Sequence, residues 1–276
     1  MFVLSRWLLV MALLPAFASA QGTGVHETGI RETGVHEIRV AAASDLSAAM
    51  QRLTPAFEKQ TGIHVTVSLG SSGNFFAQIA NGAPFDVFLS ADKSYPEKLD
   101  QSGLAEPGSI AFYARGRLAI WWPNSVHLDL QSKNPQGLTG NLDSLKSPEI
   151  RRIAIANPEH APYGRAAVAA LQHYGLYEAV KPKLVLGENI SQTAQFAQSG
   201  NADVAFVALA LALSDAMKDK GQFLLLPENS YPPLDQAAVV VRSSPNKQQA
   251  QRFVQFLTSS EGQKILGDFG FGAPKK

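Results

Sequence analysis

Cysteine is absent from the 276-residue chain. This absence excludes disulfide bonds, thiolate metal sites and a cysteine nucleophile. No Gly-Lys-Ser/Thr triplet occurs either, so a Walker phosphate loop is excluded. No two histidines have the spacing of metal ligands, and His160 and His173 stand alone. The sequence therefore predicts neither a resident cofactor nor a side chain that ligates a metal directly.

Long hydrophobic runs are missing after residue 20. Residues 1–20 combine Arg6, an apolar run and the ending Ala18-Ser19-Ala20, which is typical of a signal peptide cleaved after Ala20. The alternative is an uncleaved membrane anchor, but the run Trp7–Phe17 is too short to span a bilayer. Because no cysteine follows to carry a lipid, we expect a soluble protein of the periplasm.

An excess of charge of either sign is also missing. Removing residues 1–20 removes one arginine and no acid, which leaves 23 basic and 23 acidic residues. A basic field is what attracts nucleic acid or an anionic membrane surface. The balance argues against both partners.

A repeat precedes the folded part of the chain. A five-residue unit of the type Thr-Gly-Val-His-Glu occurs three times in residues 23–37. Frequent glycine and few large apolar residues predict that residues 21–37 form a flexible leader. His26 and His36 are possible weak metal ligands, but a solvated tail is favoured because no further ligands cluster near them.

From Ile38 onward, apolar β-prone runs alternate with helical stretches. This alternation predicts an α/β fold of two lobes, each a mostly parallel sheet flanked by helices. We assign residues 38–116 plus 237–276 to lobe 1 and residues 117–236 to lobe 2, with crossovers near 115–117 and 232–236. Ligands of open α/β sheets bind at the carboxyl ends of strands, which predicts a cleft between the lobes.

Small polar residues or free backbone amides follow four predicted strands. Each junction would aim unpaired N–H groups and the positive end of a helix dipole at one place, as an anion site requires. The alternative is that each polar residue is an ordinary helix cap. The four junctions are Ser44-Asp45, Gly70-Ser71-Ser72-Gly73, Tyr163-Gly164 and Ile190-Ser191.

Six stretches between Ile38 and Phe271 carry a family resemblance. They are "AAASDL", "SLGSSGN", "GAPFDVFLSAD", "NPEHAPYGRAA", "GENISQTAQFAQSGNADVAFVAL" and "LGDFGFG". Together they resemble the periplasmic molybdate-binding proteins of ABC importers. The resemblance implies a two-lobed receptor that binds molybdate or tungstate and delivers it to an inner-membrane permease. We expect a monomer and no enzymatic activity.

The resemblance also implies which residues bind the oxyanion. The family's two ligand serines fall on Ser44 and Ser72, and its two backbone donors fall on Tyr163 and Ile190. Some members have a tyrosine ligand at a later strand end, where this chain has Ala208. We expect Tyr163 or the backbone N–H of Asp45 to compensate for it.

The side chain of Asp45 leaves two interpretations open. A carboxylate that faces the pocket would accept the proton of a protonated phosphate and favour that ligand. A carboxylate that caps its own helix and points away would leave a site of donors for a fully ionised oxyanion, and we favour the cap.

Two other functions remain as alternatives. One is a sulfate or thiosulfate receptor of the same fold. The other is a hydrolase in which Ser72 acts as nucleophile and His160 as base. Gly73 follows Ser72 directly, so the Gly-x-Ser-x-Gly spacing of a nucleophile elbow is not met.

Overall fold

The computed structural model describes residues 37–128, residue 130 and residues 142–274. The predicted signal peptide, the repeat leader, His26 and His36 lie outside the described residues. Within the described ranges, no helix has both the length and the apolar character needed to cross a membrane.

The described residues form ten strands and nine α-helices, which alternate along much of the chain. The strands are β1 (Glu37–Ala43), β2 (His64–Gly70), β3 (Val87–Ser90), β4 (Ala111–Gly116), β5 (Leu118–Pro123), β6 (Ile153–Ala156), β7 (Leu184–Gly187), β8 (Val204–Ala208), β9 (Gly221–Leu225) and β10 (Leu234–Val240). The helices are α1 (Ser47–Thr61), α2 (Ser72–Ala80), α3 (Ser94–Gln101), α4 (Pro162–His173), α5 (Tyr177–Val180), α6 (Ile190–Gln198), α7 (Leu209–Ala212), α8 (Lys247–Thr258) and α9 (Ser260–Asp268).

The first sheet has the strand order β2-β1-β3-β10-β4. Strands β1, β2 and β3 pair in parallel, whereas β10 is antiparallel to both of its neighbours. Helices α1, α8 and α9 cover one face, where Phe57 packs edge-on against Phe253 at 5.0 Å between ring centroids. We call this sheet and its helices lobe 1.

The second sheet repeats this arrangement with the order β7-β6-β8-β5-β9. Strands β6, β7 and β8 are parallel, and β5 is antiparallel to both of its neighbours. Trp121, Trp122 and Phe206 are buried in its core. This sheet and its helices form lobe 2, so the predicted α/β fold of two sheets flanked by helices is confirmed. Both sheets are mixed, because each has two parallel and two antiparallel strand pairings.

The chain passes between the lobes at two places within the described residues. Only Arg117 separates β4 of lobe 1 from β5 of lobe 2. The chain returns before β10, whose first residue, Leu234, pairs with Gly116. Residues 234–236, which the sequence analysis assigns to lobe 2, therefore belong to the sheet of lobe 1.

Candidate functional site

Four strands end where the two lobes meet. Ala43 of β1 lies beside Gly70 of β2, and Ala156 of β6 lies beside Gly187 of β7. Each strand leads into a turn or helix whose first residues line one small cavity. The five predicted site residues, Ser44, Asp45, Ser72, Tyr163 and Ile190, all line this cavity. Its space is only about 10 Å³, so the residues of the two lobes lie close together around it.

Ser44 begins the short 3-10 turn that follows β1. Its side chain is buried, and its Oγ has no hydrogen-bond partner among the described residues. Its backbone carbonyl accepts a hydrogen bond from Ser191 Oγ of lobe 2 at 2.9 Å. Because buried polar groups nearly always have partners, an unpaired hydroxyl in a cavity wall points to a ligand.

Ser71 and Ser72 have different roles at the start of α2. Ser71 is the N-cap residue, and its Oγ accepts from the N–H of Asn74. Ser72 Oγ accepts a hydrogen bond from the backbone N–H of Ala91 at 3.0 Å. A serine hydroxyl has one proton to donate as well as lone pairs to accept, so Ser72 can still donate to a bound anion.

Tyr163 lies in the first turn of α4, after Ala161 as N-cap and Pro162 as first residue. First-turn N–H groups have no acceptor within their helix, so the Tyr163 N–H is available to a ligand. Its hydroxyl donates to Asp45 Oδ2 at 3.0 Å. Burial raises the pKa of the Tyr163 hydroxyl well above 10, and the charge of Asp45 adds to this, so the hydroxyl stays a donor.

Ile190 is the first residue of α6. The side chain of Asn189 caps this helix by accepting from the N–H groups of Ser191 and Gln192. The N–H of Ile190 precedes both and is not used by this cap. The Ile190 side chain packs in the core of lobe 2, which agrees with a role for the backbone rather than for the side chain.

The side chain of Asp45 contradicts the prediction that it caps its own helix. No side chain caps the 3-10 turn or α1, whose N-cap residues are Ala43 and Leu46. Asp45 Oδ2 instead accepts from Tyr163 and from Gln236 Nε2, at 3.0 and 2.5 Å. The cap prediction is wrong because the partners of Oδ2 are distant in sequence and neither oxygen of the carboxylate caps a helix.

Asp45 has an unusual electrostatic environment. It is fully buried, its Oδ1 has no partner among the described residues, and no lysine or arginine lines the cavity. Desolvation raises the pKa of Asp45 to about 6, although hydrogen bonds from Gln236 and Tyr163 act to lower it.

The pairing of Ser72 with His160 that the alternative hydrolase would require is not formed among the described residues. His160 Nδ1 lies 2.9 Å from the Oγ of Ser71. His160 Nε2 lies 3.7 Å from a carboxylate oxygen of Glu188. Since Ser71 already caps α2, this chain of side chains joins the two lobes rather than activating Ser72.

Further contacts join the lobes around the cavity. The N–H of Gly73 donates to the carbonyl of His160 at 2.9 Å. Arg165 of α4 donates to Asp92 of lobe 1 at 2.7 Å. Sequence reasoning did not identify these contacts or the bond from Gln236, because each joins segments that are far apart in the chain. Together with the small cavity, they describe a closed state.

Metal ligation by side chains has no support in the described ranges. No group of three or more histidine, aspartate or glutamate side chains is arranged there to hold a metal ion. The donors at the cavity are neutral hydroxyls and backbone N–H groups. This set suits an anion whose oxygens accept hydrogen bonds.

Residues 38–272 match the family described as bacterial extracellular solute-binding protein. The molybdate-binding protein ModA of Azotobacter vinelandii is 39% identical over 235 residues, which are 85% of this chain and 89% of the relative. ModA of Rhodobacter capsulatus is 36% identical over 231 residues, which are 84% of this chain and 86% of the relative. The solved structure of the periplasmic molybdate-binding protein of A. vinelandii matches with a TM-score of 0.77 and 36% identity, covering 86% of this chain and all of that one.

Proposed function

This chain belongs to the bacterial extracellular solute-binding protein family, and we propose that it binds molybdate between its two lobes for delivery to an ABC-type permease. Two relatives above 35% identity that are named for molybdate binding support this ligand. The role is transport and not catalysis.

The observation that carries the proposal is that the Oγ of Ser44 has no partner within the part of the chain that the structure describes. This buried hydroxyl lines the same cavity as Ser72 and the first residues of α4 and α6. Burying a dianion without hydrogen bonds is very costly, and several neutral donors from hydroxyls and helix N termini offset that cost. Neutral donors also allow release, because no salt bridge has to be broken when the ion leaves.

The proposal extends to tungstate, which has the same tetrahedral geometry and charge as molybdate. We also propose that the protein is a monomer in the periplasm and that its signal peptide is cleaved after Ala20. The five residues Ser44, Asp45, Ser72, Tyr163 and Ile190 are proposed to contact the ion, with Asp45 contributing its backbone N–H.

The ligand is tested by titration calorimetry of the purified protein with molybdate, tungstate, sulfate, thiosulfate and phosphate. We expect molybdate and tungstate to bind and to raise the melting temperature as their concentration increases, as binding linkage requires. Tightest binding of sulfate, thiosulfate or phosphate would replace the proposed ligand within the same fold. The absence of heat and of a thermal shift with every one of these ions would refute an oxyanion receptor.

A further inference from the structure

We propose that Tyr163 is a positioning residue for oxyanion binding, whose hydroxyl docks on Asp45 beside Gly116 when the lobes close. This docking holds the first turn of α4 against the cavity. The inference rests on the proposed function, because it concerns how the same cavity is completed.

The Tyr163–Asp45 contact crosses from one lobe to the other. Tyr163 belongs to α4 of lobe 2, whereas Asp45 follows β1 of lobe 1. Their oxygens lie 3.0 Å apart, and both residues are at most 2% exposed. A hydrogen bond to a buried carboxylate is stronger than one between neutral groups. Separation of the lobes would break this bond.

Lobe 1 holds the acceptor in a fixed orientation. Gln236 of β10 donates to Asp45 Oδ2, and Tyr113 of β4 donates to Gln236 Oε1 at 2.8 Å. Asp45, Gln236 and Tyr113 all belong to lobe 1 and are buried. The carboxylate is therefore oriented by its own lobe, independently of Tyr163.

Gly116 provides the space that the Tyr163 hydroxyl occupies. A Cβ on Gly116 would lie only 2.2 Å from Tyr163 Oη and 2.9 Å from Gln236 Nε2. Gly116 is the last residue of β4, directly before the crossover to lobe 2. The docking point thus lies beside the crossover about which the lobes would move.

Docking of the hydroxyl also constrains the proposed backbone donor. Tyr163 contributes both the hydroxyl that docks and the N–H proposed to bind the ion. Asp45 directly follows Ser44, whose hydroxyl lines the cavity and has no partner in the described ranges. Anchoring Tyr163 on Asp45 therefore fixes one proposed donor of lobe 2 relative to one of lobe 1.

The first test compares Tyr163→Phe with Tyr231→Phe. Tyr231 is a matched control because its buried hydroxyl accepts from the N–H of Leu118 within lobe 2. Release of molybdate is measured by stopped-flow displacement with excess tungstate. We expect Tyr163→Phe to speed release about tenfold, the effect of one hydrogen bond to a charged group, and Tyr231→Phe to lower the melting temperature without changing release.

The second test combines Tyr163→Phe with Gly116→Ala. We expect Gly116→Ala alone to weaken molybdate binding, because its Cβ takes the place of the hydroxyl. In the Tyr163→Phe background, Gly116→Ala should reduce molybdate affinity less, because the tyrosine oxygen that its Cβ would meet is gone. Non-additive effects of this kind are typical of residues in contact. Unchanged release in Tyr163→Phe, or strictly additive effects, would overturn the inference. Failure of the unmodified protein to bind molybdate would instead overturn the proposed function.

Discussion

Ser44 and Ser72 line the same cavity but differ in their partners. Ser72 Oγ accepts from the N–H of Ala91 at 3.0 Å, whereas Ser44 Oγ has no partner among the described residues. Ser72 therefore links α2 to the residue that follows β3, while Ser44 has no such structural bond. For this reason, alanine variants of the two serines should differ in their effect on the free energy of unfolding.

Ser44→Ala is expected to weaken molybdate binding by roughly 1–3 kcal/mol and to leave the free energy of unfolding of the unliganded protein unchanged. Ser72→Ala should weaken binding similarly and also lower that free energy, because the N–H of Ala91 loses its acceptor. Calorimetry and urea unfolding measure the two quantities. Ser214→Ala is a control for a buried serine outside the cavity lining, since its Oγ donates to Leu211. Full affinity in both site variants would refute their assignment.

The alternation of strands and helices, and the junctions that line the cavity, follow from local patterns in the sequence. The orientation of Asp45 does not. Helix-cap preferences act over a few residues, whereas the bond from Gln236 spans 191 residues and depends on the return of β10 to lobe 1. The bond between Ser71 and His160 likewise needs both lobes in place. The first bond depends on the strand order of lobe 1 and the second on how the lobes close, and no local pattern encodes either.

Gly73→Ala is expected to weaken molybdate binding about tenfold or more, because the added Cβ would keep the lobes from closing fully. The N–H of Gly73 donates to the carbonyl of His160, and a Cβ on Gly73 would lie only 2.6 Å from that oxygen. Contacts this short force neighbouring segments apart. Gly267→Ala is the matched control, because Gly267 lies in α9 with nothing within 4 Å of its Cβ position. It should raise stability by up to about 1 kcal/mol and leave affinity unchanged. Equal affinities in the two variants would contradict the prediction.

Ile190→Pro removes the N–H proposed to bind the ion while keeping the helix. Proline is well tolerated at the first position of a helix, which Ile190 occupies. Asn189, with φ −150° and ψ 176°, already has the extended conformation favoured before proline. We expect Ile190→Pro to weaken molybdate binding by roughly 1–3 kcal/mol, as for a lost donor to a charged group. Ile190→Val should bind normally in the same calorimetric titration. If both variants bind normally, Ile190 is not a donor.

The buried carboxyl of Asp45 should make the stability of the unliganded protein depend on pH. Burial raises its pKa from 3.8 to about 6. Between these values the folded protein holds a proton that the unfolded chain has lost, so the free energy of unfolding contributed by this group falls as pH rises. The total decrease is about 3 kcal/mol and is complete above roughly pH 7.

Asp45→Asn tests this dependence because it removes the charge and keeps an oxygen that accepts from Tyr163 or Gln236. The free energy of unfolding is measured by urea titration for both proteins from about pH 4 to pH 8 without oxyanions. Taking the difference between the variant and the unmodified protein cancels the contributions of the other carboxyl groups. The free energy of unfolding of Asp45→Asn minus that of the unmodified protein should rise between about pH 4 and pH 7 and then become constant. A difference that is the same at every pH would show that burial does not shift the ionisation of Asp45.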